Sequence, residues 1–376
     1  MNDTIFTPNF ETTSEMQGHL DNIGRTSWLI QNMLIMPKHE AWIRRQVWVR
    51  RAAATTQIEG ASMNEAQVEE LRKKGHPGKL TDDEQENLDA LQAYEFVDYA
   101  SDEPDIPPDE MVIRQLNREF LRGAPEHLVP GRYRNGQNTV GPYTTPDQGD
   151  IPTLMRAYSD WLKSDNEMHP VLKAGIAHIQ FVAIHPFWDG NGRVARGLAT
   201  LVLQRSEYHF KKLLSLESML YRTRDEYFGA IERTLGKSYS PGYDATPWLE
   251  FFVRAVVTHA FELQIELTDW HRQMESVYKA LEKADMNHRQ ADGVIFAIRM
   301  GQITRSDYLE ITGVSHVTAS RDLRQLVSKG WLIPRGQTRA RVYLPKVPGK
   351  RYEPPPEQGQ LFDIGGVLRK EKREQE

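Results

Sequence analysis

The chain of 376 residues contains no cysteine. It therefore forms no disulfide, has no thiol nucleophile and offers no cysteine–zinc site, which is compatible with a reducing compartment. The sequence also lacks an apolar run of about eighteen residues, the length that a membrane-spanning helix needs. Its first residues show no basic region followed by an apolar run. We therefore expect a cytoplasmic protein without a membrane partner.

An excess of positive charge is also absent, since 47 Lys and Arg stand against 52 Asp and Glu, a formal net charge of −5. This balance argues against a protein that coats nucleic acid along its whole length, although a local basic patch remains compatible with it. The hydrophobic content of 39% is ordinary for a globular protein. The length predicts two or three domains with a substantial core.

The residues that carry chemistry are concentrated between His185 and Arg196, in the stretch His-Pro-Phe-Trp-Asp-Gly-Asn-Gly-Arg-Val-Ala-Arg. Upstream, over residues 171–184, apolar residues recur at intervals of three and four, which predicts a buried helix that Pro186 ends. Residues 194–205 are again compatible with a helix. The glycines are therefore predicted to form a tight loop at a helix N-terminus, where free backbone N–H groups and the helix dipole favour an anion.

The charged residues of this stretch point to the same kind of ligand. Arg193 and Arg196 share one face of the second helix, a like-charged pair that is unfavourable unless an anion lies between them. Asp189 could hold a hard cation such as Mg²⁺ that bridges phosphate oxygens. The ordinary pKa of histidine, about 6.5, suits His185 to taking a proton from a hydroxyl group.

At every specified position the stretch resembles the Fic-domain motif, His-x-Phe-x-(Asp/Glu)-Gly-Asn-Gly-Arg-x-x-Arg. The resemblance covers roughly residues 30–280. It implies a mainly α-helical bundle with a small β-hairpin flap, and a protein adenylyltransferase that moves AMP from ATP to a Tyr, Thr or Ser hydroxyl of a protein, the chain itself included. The related Doc kinases carry Lys where this chain has Gly192, which argues against phosphoryl transfer.

The resemblance also assigns a role to individual residues. It implies that His185 is the general base, that Asp189 is the Mg²⁺ ligand and that Phe187 anchors the loop in the core. The ATP-binding residues that it implies are Gly190, Asn191 and Gly192 around the α- and β-phosphates, Arg193 near the β-phosphate, Arg196 at the γ-phosphate and Tyr227 stacked on the adenine. For Tyr227 the alternative is an ordinary core aromatic.

A second motif lies at the end of a long helix predicted over residues 41–58 and capped by Gly60. The sequence from Thr55 to Gly60 resembles the inhibitory motif of Fic proteins, (Ser/Thr)-x-x-x-Glu-(Gly/Asn). Glu59 would then pair with Arg196 and occupy the place of the γ-phosphate. Two alternatives stay open: Glu59 as a solvated residue of the last turn, and Glu59 as a base that positions water, so that the same site mainly removes AMP from targets.

Residues 132–141 resemble the Fic flap, whose exposed edge pairs with the backbone of the target. Asn135-Gly136 is a strong turn signal and predicts a short hairpin there. Val140 and Gly141 would contact the target segment. The alternative is an ordinary surface hairpin.

The central stretch also contains the elements of two other patterns. Gly190, Gly192 and Ala195 fit a GxGxxA dinucleotide pattern, but that pattern should follow a strand, and here a helix is predicted. His178 and His185 could be metal ligands, yet no third ligand is suitably spaced, so His178 is expected to be a satisfied helix histidine.

The C-terminal third changes character. A short helix, a turn at Gly313, a second helix and two β-rich segments resemble a winged helix-turn-helix, with six basic residues against one acid between residues 311 and 345. The second helix could read DNA through His316, Thr318, Ser320, Arg321 and Arg324, and Arg335, Arg339 and Arg341 could contact phosphates.

The predicted domains are an N-terminal helical region (1–100), with an inhibitory helix at about 41–60, a Fic core (101–284), the winged helix (285–346) and a flexible tail (347–376). A homodimer is compatible with the sequence. The competing function is a transcriptional regulator whose Fic-like body senses a nucleotide.

Overall fold

The computed structural model describes residues 6–35, 37–74, 78–125, 128–164, 167–337 and 341–346. This part of the chain is mainly helical, as predicted, and none of its helices has the length and apolar character that a membrane span requires. The elements in chain order are α1 (Ser14–Asn32), α2 (Pro37–Glu59), α3 (Glu65–Lys74), α4 (Asp82–Asp102), α5 (Glu110–Phe120), β1 (Thr139–Val140), β2 (Tyr143–Thr144), α6 (Ile151–Lys163), α7 (Pro170–Ile184), α8 (Asn191–Gln204), α9 (Leu216–Arg222), α10 (Arg224–Leu235), α11 (Thr246–Lys283), α12 (His288–Met300), β3 (Ile303–Thr304), α13 (Arg305–Thr312), α14 (His316–Ser328), β4 (Leu332–Arg335) and β5 (Val342–Pro345).

The chain divides into two compact units, one of residues 1–34 and 43–264 and one of residues 35–42 and 265–376. The domain boundaries inferred from the sequence stay predictions. The predicted tail, 347–376, lies outside the described residues, as does Arg339.

The centre of the first unit is formed by α7 and α8, which pack against each other. Nearly all of their side chains are buried, because α7 is apolar on every side and such a helix is stable only when other elements surround it. Helix α6 packs on α7, while α4 and α5 pack on α8. The short loop between α7 and α8 is therefore fixed at both ends by the core.

Helix α1 begins within a largely polar stretch. Thr13 caps it by accepting a hydrogen bond from the Met16 N–H (3.2 Å). Met16, Leu20 and Ile23 are buried. Their spacing is that of a helix face, which the polar residues between them conceal in the sequence.

The second unit contains a three-stranded antiparallel sheet in the order β3-β5-β4. The predicted turn between α13 and α14 is made by Gly313 in the left-handed conformation (φ 66°), and Leu323 and Leu326 of α14 are buried. Strand β3 is a third strand beside the two β-rich segments that the sequence predicts. Its residue Thr304 caps α13 and also pairs with β5.

Candidate functional site

Two left-handed residues bracket the loop between α7 and α8. His185 ends α7 with φ 50° and ψ 59°, and Gly190 precedes α8 with φ 76°. A Cβ atom at position 190 would lie 3.0 Å from the Asn117 Nδ2 atom, so glycine fits this position for both conformation and space. A helix and not a strand precedes the glycines, as predicted, which argues against a dinucleotide-binding fold.

Arg134 holds this loop from the predicted flap region. Its Nε donates to the His185 carbonyl (3.0 Å), and its backbone N–H donates to the Pro186 carbonyl (2.9 Å). The remaining guanidinium nitrogens donate to the carbonyls of Gly136 (2.8 Å) and Pro146 (2.6 Å). These bonds offset the strain of a left-handed histidine, about 1–3 kcal/mol. The role of Arg134 could not be predicted from the sequence, because bonds to backbone carbonyls leave no residue pattern.

Two asparagine side chains complete the frame of the loop. Asn117 of α5 donates to the Asp189 carbonyl (3.0 Å) and accepts from the Gly131 N–H (2.7 Å). The buried Asn191 amide accepts from the Phe187 N–H and donates to the Phe187 carbonyl, both at 2.9 Å. The side chain of Asn191 is therefore used inside the loop, so any contact of Asn191 with a phosphate would come from its backbone. Phe187 is buried, as expected of an anchor.

The start of α8 has the character of an anion site. No side chain caps this helix end. Arg193 is 4% exposed, and its Nε and Nη1 atoms have no hydrogen-bond partner among the described residues. Its nearest carboxylates are those of Asp189 (3.4 Å) and Glu86 (4.0 Å). Buried donors without acceptors cost roughly 1–3 kcal/mol, so this arrangement fits an anionic ligand.

Arg196, one turn further along α8, is held by helix α2. Its Nη2 lies 2.5 Å from the Glu59 Oε1 and 3.2 Å from the Thr55 carbonyl, and its Nε donates to the Thr55 Oγ1 (2.9 Å). Arg196 is 1% exposed, whereas the Glu59 side chain is 41% exposed. A Cβ at Gly192 would lie 2.6 Å from the Glu59 Oε1, so only glycine leaves room for this ion pair.

The pKa values agree with an ion pair between these two residues. Burial raises the pKa of Glu59, but the attraction of Arg196, with smaller contributions from Arg193 and His185, outweighs burial and leaves this pKa below its ordinary value. Burial alone would lower the pKa of Arg196, yet the Glu59 charge raises it. Both groups are therefore charged near neutral pH.

His185 is a neutral imidazole in this site. Burial lowers its pKa to about 4; the backbone of Val182 acts in the opposite direction, and the charge of Arg134 adds to the lowering. Near neutral pH the ring is unprotonated and can accept a proton, which is the state that a general base needs.

The hairpin of the flap region turns at a different place than predicted. Thr139 pairs with Thr144 and Val140 with Tyr143, so the turn is made at Gly141-Pro142 rather than at Asn135-Gly136. Gly141 has φ 56°, a conformation that favours glycine. The prediction of a turn at Asn135-Gly136 was wrong, because Gly141-Pro142, directly before β2, is also a turn signal.

The edge of this hairpin that is formed by β1 carries the predicted contact residue Val140, which is 41% exposed. On the other side, β2 is covered: Thr144 donates to the Lys237 carbonyl, and the Tyr239 N–H donates to the Thr144 carbonyl, both at 2.9 Å. Among the described residues β1 pairs with β2 alone, so β1 presents the open edge.

Tyr227 is placed differently from the prediction that it stacks on adenine. Its ring is 1% exposed and lies edge-on to His178 and Trp248. Its hydroxyl contacts the His178 Nε2 (3.0 Å) and the Arg196 Nη1 (3.5 Å). A ring enclosed on all sides offers no face to a base, so the core-aromatic interpretation applies. His178 is buried, and its Nε2 contacts the Tyr227 hydroxyl, whereas its Nδ1 has no hydrogen-bond partner among the described residues, so the expected satisfied histidine is satisfied at one ring nitrogen only.

Asp189 is the residue at this site that could hold a metal ion. Its side chain is 50% exposed beside the start of α8. The described residues include no cluster of three or more His, Cys, Asp or Glu that could hold a metal by themselves. Mg²⁺ needs fewer protein ligands than such a cluster supplies, since it is commonly bound by one or two carboxylates together with substrate phosphates and water. A single half-exposed carboxylate at an anion site fits that ion.

The fold and the site together define a helical domain with an anion-binding loop between two buried helices and a neutral histidine at its edge. Residues 107–203 match the model of the Fic/DOC family.

Curated relatives share this region. Protein adenylyltransferase Fic of Drosophila willistoni is 32% identical over 172 residues, which are 44% of this chain and 34% of that protein. The Drosophila mojavensis protein of the same name is 41% identical over 98 residues, 26% of this chain and 19% of its own. The chain thus spans about a third of the length of such relatives.

Solved structures share the fold. A Fic family protein from Desulfovibrio desulfuricans superposes with a TM-score of 0.60 at 22% identity and covers 92% of this chain and 100% of its own. A Fic domain containing signaling protein from Bacteroides thetaiotaomicron has a TM-score of 0.55 at 20% identity and covers 65% of this chain and 95% of its own.

Proposed function

We propose that the chain is a protein adenylyltransferase that transfers AMP from ATP to a hydroxyl side chain of a protein. The observation that carries the proposal is the buried Arg193 at the uncapped N-terminus of α8, a few residues from the neutral His185; two of its guanidinium nitrogens have no hydrogen-bond partner among the described residues. The relatives named protein adenylyltransferase support the same activity.

The reaction follows from these positions. His185 takes the proton of the target hydroxyl, and the oxygen forms a bond to the α-phosphorus while the bond from that phosphorus to pyrophosphate breaks. The backbone N–H groups at the start of α8 and the Arg193 guanidinium stabilise the charge on the phosphate oxygens, and Arg196 binds the γ-phosphate. Asp189 would hold Mg²⁺, which supplies positive charge to the phosphates.

The open edge of β1 is the proposed docking place for the target. An extended segment of a protein would add to the hairpin beside Val140, with main-chain hydrogen bonds that do not depend on the target's side chains. Arg134 ties the region before this hairpin to His185. A target segment paired with β1 would therefore lie near the base, His185.

We further propose that the wild-type chain is autoinhibited by Glu59. The carboxylate holds the guanidinium that would bind the γ-phosphate, and Thr55 strengthens the hold from the same helix. ATP that binds beside this pair would be in a pose unsuited to attack on the α-phosphorus. Inhibition ends when the end of α2 moves away from Arg196.

The experiment that tests the transfer uses the Glu59→Gly variant and ATP labelled on either the α- or the γ-phosphate. Incubation with a cell lysate and Mg²⁺ should leave label on proteins from α-labelled ATP alone. Label retained from γ-labelled ATP would indicate a kinase. Absence of label from both would contradict an enzyme and favour a nucleotide sensor.

The pH dependence of the same variant gives a further expected result. Because the base must be unprotonated and the pKa of His185 is about 4, kcat/KM should stay level from about pH 8 down to about pH 5.5 and fall only below that. Loss of Glu59 removes a negative charge that raises the pKa of His185, so the fall moves further toward acid. A midpoint near pH 6.5, the ordinary value, would contradict a buried base.

A second candidate function concerns the second unit, which we propose to be a winged helix (285–346) that binds duplex DNA. The specific observation is that His316, Arg321 and Arg324 are exposed on α14, opposite its buried face, and that Arg335 and Arg341 are exposed near β4 and β5. Binding should appear as retardation of duplex DNA in a gel at low salt, weaken steeply with salt and drop in an Arg321→Ala, Arg324→Ala double variant. No retardation at low salt would overturn it.

A further inference from the structure

Arg196 is held from two different parts of the chain. Three of its four side-chain hydrogen bonds go to α2, to the Thr55 hydroxyl, the Thr55 carbonyl and the Glu59 carboxylate. The fourth, a long contact of 3.5 Å, goes to the Tyr227 hydroxyl on α10. The contacts that inhibit the site thus come from α2, whereas the Tyr227 contact comes from α10.

Arg196 has fewer hydrogen bonds in the uninhibited state. When the Glu59 carboxylate is displaced or removed, the Arg196 Nη2 loses its ion pair. The Nε and Nη2 atoms keep their bonds to Thr55, and the Nη1 atom has one hydrogen-bond contact among the described residues, the Tyr227 hydroxyl. An arginine with few fixed contacts adopts many rotamers, and it binds a phosphate well only when its planar fork is already oriented. Tyr227 is therefore the residue that orients the Nη1 end of the guanidinium, which Thr55 does not hold.

The Tyr227 hydroxyl is itself held by His178. Its hydroxyl lies 3.0 Å from the His178 Nε2, and the His178 ring is stacked on Trp248 with centroids 4.6 Å apart. Arginine has donors only, so the Tyr227 oxygen must accept from Arg196 and its O–H must donate to the His178 Nε2. That nitrogen must be unprotonated, which agrees with burial, since burial lowers the pKa of His178 well below its ordinary value.

We propose that Tyr227, backed by His178, is a positioning residue that orients Arg196 for the γ-phosphate after Glu59 has left, and so gives the site its preference for a nucleoside triphosphate over a diphosphate. This inference rests on the proposed function. Tyr227 acts through Arg196 and does not touch the nucleotide.

The test compares ATP with ADP, which lacks the γ-phosphate, in the Glu59→Gly background. Tyr227→Phe keeps the buried ring and removes only the hydroxyl. Its dissociation constant for ATP should rise about three- to thirtyfold, less than the usual effect of losing a hydrogen bond to a charged group because this contact is long (3.5 Å), while that for ADP stays within about twofold. His178→Phe, which keeps a ring against Trp248 but removes the acceptor, should change the ATP constant in the same direction and by less.

Tyr158→Phe is the matched control, because Tyr158 is also fully buried and donates to a backbone carbonyl, that of Ala177 (2.6 Å), without contacting Arg196. It should leave the ratio of the ATP and ADP constants unchanged. In an Arg196→Ala protein, Tyr227→Phe should have no further effect on ATP binding, since the group it positions is gone.

Several results would overturn the inference: equal weakening of ATP and ADP by Tyr227→Phe, the same change in ratio for Tyr158→Phe, or an effect that persists in Arg196→Ala. Thermal unfolding of each variant shows that the protein is folded when it is assayed. Failure of the Glu59→Gly protein to bind ATP at all would instead overturn the proposed function itself.

Discussion

Replacement of Glu59 with Gly should increase the rate of AMP transfer at least about tenfold, which corresponds to about 1.4 kcal/mol in the activation barrier. The physical reason is that the Glu59 carboxylate, 2.5 Å from the Arg196 Nη2, competes with the γ-phosphate for one buried guanidinium. Without this competitor ATP can bind with its α-phosphorus in line for attack. The measurement is the initial rate of labelling from ATP that carries the label on its α-phosphate.

Two controls separate this effect from others. Gln57→Gly loosens the same turn of α2 but leaves the carboxylate in place, and it should raise the rate much less than Glu59→Gly. Incubation of labelled protein with the wild-type chain shows whether Glu59 instead positions water for removal of AMP, because label would then be lost. Equal or lower labelling by Glu59→Gly would contradict autoinhibition.

His185→Ala, made in the Glu59→Gly background, should lower the transfer rate by about 10²–10⁴-fold, the usual contribution of a positioned general base. ATP binding should change little, since the phosphate contacts come from α8 and its arginines. The expected signature is therefore a loss in kcat with a nearly constant dissociation constant for ATP, measured by calorimetry. This separation distinguishes a base from a residue that merely shapes the loop.

His169→Ala is a suitable control for this experiment. His169 caps the other end of α7, where its Nδ1 accepts from the Val171 N–H (3.2 Å), and its loss should cost about 1 kcal/mol of stability without a comparable loss of rate. If His185→Ala retained its rate, or if His169→Ala lost as much, the assignment of His185 as the base would be wrong.

The parts of the fold that depend on apolar periodicity could be predicted from the sequence. Residues 171–184 predicted a buried helix, and α7 spans Pro170–Ile184. The second helix, predicted from residue 194, begins at Asn191, because its first turn consists of the polar and glycine residues of the loop. Such residues carry no hydrophobic pattern, so apolar periodicity does not predict where a helix of this kind begins.

The contacts of the site join residues that are far apart in the sequence, and apolar periodicity gives no information on which such residues meet. Glu59 and Arg196 are 137 positions apart, and their pairing was anticipated through the resemblance of two short motifs alone. Arg134 and Asn117 bind backbone groups, which any residue supplies, so no partner pattern identified them. For Tyr227, a ring stacked on a base and a ring in the core have the same helical spacing in the sequence, and only its burial distinguishes them.

The central claim is that the start of α8, with Arg193 and Arg196, binds the phosphates of ATP beside His185. The most direct test is a crystal structure of the Glu59→Gly variant with a non-hydrolysable ATP analogue. We expect the phosphates at the N-terminus of α8, the γ-phosphate on Arg196 and the α-phosphorus facing His185. A nucleotide bound elsewhere, with the loop between α7 and α8 empty, would contradict the account.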